Sequence, residues 1–287
     1  MGKTLKGVYT LAILSLAEVL HKKILVAAFV LTAGYLFLFG LGLHYLTADH
    51  RGFELNELAA VQLFSMALYV AVLLTSLLAV LLGVGAIAGE LESGTAHALL
   101  SRPVSRTAVL LGKYLGYALF MALYALFFFL TMWVLMAWQG GVALKGAAPA
   151  LGLFVLQPLV LLALSFWAST VFSTIGAGVV VFILYGVSMV GGILEQIGAL
   201  LDRAGHSAAP ALVNTGIVTS LILPVDALYR LASFSLLAKS GQLWGGFGGL
   251  GPFGAASVPS NWMVAYAGLY LAAFLWLAAR TFRKKDV

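Results

Sequence analysis

Reactive residue types are scarce in this chain, which holds 10 acidic and 16 basic side chains among 287 residues, and three places group residues whose types could do chemistry. Between positions 89 and 113 stand Glu90, Glu92, His97, Arg102, Arg106 and Lys113, with Gly94, Thr95, Leu99 and Pro103 among them. Around 44–50 stand His44, Asp49 and His50, and at 224–230 stand Pro224, Asp226 and Arg230. The pair Gly112-Lys113 would suit a nucleotide phosphate inside Gly-x-x-x-x-Gly-Lys-Ser/Thr, but Thr107 replaces the first Gly and Tyr114 the hydroxyl residue. Without that loop there is no cradle of backbone amides, so the chain binds no ATP in that manner. His44, Asp49 and His50 are cation ligands by type, yet they lack a recognised ligand spacing and read as exposed loop residues. Met132 and Met136, four apart, read as packing. No His-Glu-x-x-His, Gly-x-Ser-x-Gly or paired buried carboxylates occur, so catalysis within the chain has no visible machinery.

What must position these residues follows from composition. Hydrophobic residues make up 62% of the chain and charged residues 9%, far below the roughly 25% charged residues of soluble domains. Such a surface has to face lipid. Apolar stretches long enough to cross the hydrocarbon layer lie at 24–46, 59–88, 108–138, 151–172, 176–194 and 262–279, and the fold class expected is an all-α integral membrane protein of six spans. The stretch 211–223 ends at Pro224 and is short for a span, so it reads as a half-helix or an interfacial piece. No Asp, Glu, Lys or Arg lies mid-span in this reading, which argues against a carrier powered by protons or ions. The polar span residues Ser65, Tyr69, Thr75, Ser76, Tyr117, Tyr124, Thr131, Ser165 and Ser169 read mainly as hydrogen-bond partners of neighbouring helices. Trp133 and Trp138 read as interface anchors or packing.

Orientation comes from the basic residues. With the N-terminus in the cytoplasm, Lys3, Lys6, Lys22, Lys23, Arg102, Arg106, Lys113, Arg280, Arg283, Lys284 and Lys285 share that side, as the positive-inside bias requires. Six spans then leave both termini cytoplasmic in the plasma (inner) membrane, with Arg102, Arg106 and Lys113 near the headgroups. The formal charge of +6 is a topology signal and an anionic-lipid contact, and its distribution argues against a nucleic-acid role. Residues 4–20 carry Leu5, Val8, Ala12, Leu16 and Val19 at helical spacing, with Lys3, Lys6 and Glu18 off that stripe, which predicts an amphipathic interfacial helix. Residues 195–261 form the external segment. Within it a short helix follows Pro224, with Asp226 as its cap and Arg230 four residues on as its ion-pair partner. A Gly-rich loop, 245–261, comes next. All 287 residues form a single membrane domain.

In the polar insert 89–107, residues 90–101 have helix-forming composition, Pro103 stops the helix, and Ser105 is placed to cap the third span. From the residues alone, the insert is either a solvated loop that anchors topology or a rigid lever that another protein pushes.

The order Glu92, Gly94, Thr95, Pro103, Arg106, Gly112, Lys113 resembles the loop after span two in type-2 ABC-transporter (ABC-2) permeases. The interfacial helix and six spans are similar to that family across the chain. The resemblance implies a short cytoplasmic coupling helix, 90–101, that docks on a separate ABC ATPase dimer. Glu90, Glu92, Gly94, Thr95, Leu99, Arg102, Pro103 and Arg106 would make up the ATPase-coupling set. It further implies a second permease protomer, and ATP and Mg held by the partner rather than by this chain. The external run Pro224, Asp226, Arg230 and the basic C-terminus resemble, more narrowly, permeases of nitrous-oxide-reductase maturation (Nos) systems, which work with an extracytoplasmic partner in copper-site assembly. There an Asn often precedes the Pro; here it is Leu223. Two other readings stay open: a scaffold that passes motion to an external partner without moving solute, and a stand-alone facilitator.

Overall fold

The computed structural model describes residues 2–48, 57–92, 105–142, 144–239 and 256–284. Gly94, Thr95, Leu99, Arg102 and Pro103, and the body of the expected coupling helix, lie outside them, as do Asp49 and His50. Among the described residues the chain is helical throughout: α1 (Gly2–Leu20), α2 (Lys23–Ala48), α3 (Glu57–Val84), α4 (Ala88–Glu92), α5 (Arg106–Gln139), α6 (Ala147–Val171), α7 (Thr174–Arg203), α8 (Ala209–Ile222), α9 (Val225–Lys239) and α10 (Trp262–Lys284). Six are long and apolar enough to cross a membrane, namely α2, α3 with α4, α5, α6, α7 and α10. The expected all-α membrane fold with six spans and an N-terminal helix is therefore present.

Helix α6 is the hub and packs against α3, α5, α7, α9 and α10. Its apolar residues run around the whole circumference, and Phe154, Leu161, Leu164 and Phe166 are fully buried. A helix apolar on every side belongs in an interior. Helix α2 is the opposite case. It turns Val26, Val30, Phe37, Leu38 and Tyr45 outward, as a lipid-facing helix does.

Local signals mark several boundaries. Ser105 caps α5 by accepting from the Ala108 amide at 3.3 Å, as its position predicts. Ser173 caps α7 in the same way, accepting from Gly176 N at 3.3 Å. Gly146 opens α6 at φ +90°, and a Cβ there would strike the Ser235 carbonyl, so glycine is required twice over.

Two differences from the expected spans matter below. Helix α7 does not end near 194 but continues to Arg203, carrying Glu195 and Gln196 as buried residues. The piece expected at 211–223 is helix α8, and it meets α9 at a bend of 109° beside Pro224. Together they form a bent cap over one end of the bundle. The other end carries α1, α4 and the starts of α5 and α7.

Candidate functional site

At the α1 end, α1 lies against α5 because α5 lacks side chains where they meet. A Cβ on Gly112 would stand 2.6 Å from Leu11 Cβ, and one on Gly116 would strike the Ala12 carbonyl. Small residues four apart let two backbones touch, which is the usual device of helix association in lipid. Val19 and Ser15 of α1 are buried in this seam. The expected apolar stripe is thus present, facing α5.

That contact brings distant charges together. Lys113 is buried, with an exposure of 3%. Its ammonium donates to the Ala86 carbonyl at 3.0 Å, filling an acceptor left over where α3 ends. It forms an ion pair with Glu90 of α4 and a longer one, 3.5 Å, with Glu18 of α1. Glu18 also pairs with Lys22 at 3.2 Å and accepts from the Tyr117 hydroxyl at 2.9 Å. Lys22, Glu18, Lys113 and Glu90 therefore alternate in sign along one chain of contacts. The buried Lys113 head needs such partners because its stem packs within the protein, and Glu18, off the apolar stripe and partly exposed, supplies one of them. Partial burial pushes the Glu18 carboxyl up, but Lys113, Lys22 and the Tyr117 hydroxyl outweigh it and hold it below its ordinary value.

Glu92 reaches elsewhere. Its carboxylate accepts from the Thr174 amide at 2.8 Å and from the Thr174 hydroxyl at 2.9 Å. An anion on exposed amides at a helix start is favourable for both hydrogen bonding and the helix dipole. Of the expected coupling residues, Glu90 and Glu92 are thus fixed to the bundle. Arg106 is the first residue of α5, and Leu91 packs on the core.

At the cap end a second polar cluster is closed. Arg230 pairs with Asp226 (Nε to Oδ2, 3.0 Å) and with Glu195 (2.6 and 2.8 Å), and donates to Ser220 Oγ at 3.0 Å. The expected Asp226–Arg230 pair is present. Asp226 does not cap α9 from outside; it sits in the helix's first turn with its carboxylate on Arg230. Glu195, which the sequence reading left at the edge of the external segment, is the residue that reasoning missed. Its helical continuation past 194 was the available signal. Glycines admit the cluster: Gly192 lies under the Asp226 carboxylate and Gly216 against Glu195 Cβ, positions where a side chain would collide. Residues 256–257 are tied on top. Ser257 Oγ donates to Glu195 at 2.6 Å, and the amides of Ala256 and Ser257 donate to Gln196 Oε1 at 2.7 and 3.1 Å. Leu223, in the place where an Asn was expected, is buried, and its carbonyl accepts from Ser188 at 2.7 Å.

Of the polar span residues, Thr75, Thr131, Ser165 and Ser169 donate to carbonyls three or four residues back on their own helices, whereas Tyr117 and Tyr124 bond across to neighbouring helices as expected, at Glu18 and Thr32. The groove between α2 and α3, lined by Ile24, Ala28, Leu31, Leu74, Leu78 and Tyr124, is apolar. Among the described residues no group of three or more His, Cys, Asp or Glu side chains could hold a metal ion, and His44 is exposed.

Six spans, a bent cap and, among the described residues, charges gathered toward the two ends mark a multi-pass membrane protein. The chain belongs to the ABC-2 transporter family: the profile described as "ABC-2 family transporter protein" matches residues 16–287. The chain is also similar to the "Probable ABC transporter permease protein NosY" of Pseudomonas aeruginosa, at 30% identity over 284 residues, covering 95% of this chain and 94% of that protein.

Proposed function

We propose that the chain is the permease half of an ABC transporter, driven by ATP hydrolysed on a separate cytoplasmic ATPase dimer that presses on residues 89–107. Two copies pair around the translocation path, and the α1 end faces the cytoplasm, in accord with the basic residues gathered there. ATP and Mg belong to the partner. In this reading the transporter serves copper-site assembly for nitrous-oxide reductase, with an extracytoplasmic partner meeting the cap; the similarity to NosY supports it.

The observation that carries this reading is the anchoring of α4. A loop that only joined two spans would need no fixed base. Here Glu90 and Glu92, on a helix of five residues, are tied to α5 and α7, so force applied just beyond Glu92 reaches the bundle. Co-purification tests it. The tagged chain is expected to capture an ATPase and to alter its turnover, and a bulky Gly94→Leu replacement in the expected contact loop should abolish capture while the permease still folds. Failure of the wild-type chain to capture any ATP-hydrolysing subunit would sink the reading.

One observation favours the scaffold alternative for substrate handling. The groove between α2 and α3 is apolar and offers a polar solute little to bind. Reconstitution distinguishes the two: a scaffold shows ATP-driven change at the cap without solute flux.

A further inference from the structure

On the reading of residues 89–107 as the ATPase-facing loop, we propose that α4 is a divider. Glu90 passes the ATPase stroke to α1 and α5 through Lys113, while Glu92 passes it separately to α7 through Thr174.

The geometry is that of a crossbar. Two residues apart on a helix are about 200° apart around its axis, so Glu90 and Glu92 point to nearly opposite sides. On one side Glu90 pairs with buried Lys113, which also holds Glu18 and the Ala86 carbonyl. Lys113 sits in α5 beside Gly112 and Gly116, which seat α1 without intervening side chains, so α1 and α5 respond as one body. On the other side Glu92 grips the first residue of α7 by its amide and its hydroxyl. Helix α7 then runs the length of the bundle to Glu195 and the Arg230 cluster. The two arms differ in kind. The Glu90 arm ends on a buried cation. The Glu92 arm is an exposed pair of hydrogen bonds that water can replace, so it is the arm able to let go and re-form during a cycle.

Glu90, Lys113 and Thr174 are positioning residues in this account, and the test must separate coupling from folding. The chain has no cysteine, so spin labels can be placed at outward-facing Leu115 on α5 or Ile175 on α7, each paired with a label at Trp276 on α10. Distances are measured in the ATPase complex, without nucleotide and with ATP trapped. The wild-type protein is expected to show a nucleotide-dependent shift for both pairs. Glu92→Ala should abolish the 175–276 shift and leave the 115–276 shift, while Glu92→Gln, which keeps an acceptor for Thr174, should retain both. Glu90→Lys alone should abolish the 115–276 shift and leave the other. Glu90→Gln, which keeps an acceptor for the Lys113 ammonium, should retain both shifts, and the 175–276 shift that survives in Glu90→Lys shows that the single variant is folded. Equal loss of both shifts in every variant, or wild-type shifts in all, overturns the division of the stroke but not the ATPase reading. A wild-type chain that captures no ATPase overturns both.

Discussion

The two ends of the bundle each gather charges around one buried cation, yet they are built for different service. At the cap, Arg230 is matched by carboxylates that are themselves dry: the side chains of Glu195 and Asp226 are 5% and 9% exposed. At the α1 end, Lys113 is equally buried, but its partners Glu18 and Glu90 keep 38% and 27% of their side-chain surface open. A planar guanidinium with both carboxylates enclosed has no water to fall back on if any member moves. A point-charged ammonium whose partners stand at the wet edge can exchange one partner for solvent at small cost. The cap is therefore a rivet holding α7, α8 and α9, and the α1 end is a joint.

Removing the cation should expose this contrast most sharply. Arg230→Ala leaves two enclosed carboxylates without a counter-charge and is expected to cost about 3–5 kcal/mol, read as loss of monodisperse protein on detergent size exclusion. Arg230→Lys, unable to serve both acids with a fork, should recover only part of it. Next comes the seam that carries the joint. Gly116→Leu puts a side chain where the Ala12 carbonyl lies and should cost about 1–3 kcal/mol, with α1 becoming open to protease. Lys113→Met should be milder than Arg230→Ala, roughly 1–2 kcal/mol by thermal unfolding, because Glu18 and Glu90 can turn to water. A loss as large as that of Arg230→Ala would erase the distinction between rivet and joint. The smallest effect is on pH dependence. Since the folded protein holds the Glu18 carboxyl below its ordinary value of 4.5, its stabilisation is complete above that pH and fades as pH falls through the lowered value. The difference in melting temperature between wild type and Glu18→Gln should be constant near neutrality and shrink only in acid.

Much of the frame could be read in order along the chain. Six apolar stretches became six helices because a span must satisfy every backbone polar group internally, a local requirement. Ser105 and the Asp226–Arg230 pair were legible for the same reason: a cap and an i, i+4 contact involve neighbours in sequence. Glu195 was misplaced because a length rule ends a span after about 20 residues, whereas α7 carries on for as long as α8 covers it. The pairing of Lys113 was not legible, because Glu18, 95 residues away, arrives on another helix. Gly112 and Gly116 were visible as letters in a loop motif; their use as a seat for α1 was not.

The sequence by itself determined class, number of spans and the placement of charge at two ends, because the cost of polar groups in hydrocarbon acts on each segment independently. Only the tertiary structure decided which charges meet. Coulomb attraction and hydrogen bonding act over a few ångströms, and helix packing alone brings Glu18 to Lys113, Glu92 to Thr174 and Glu195 to Arg230.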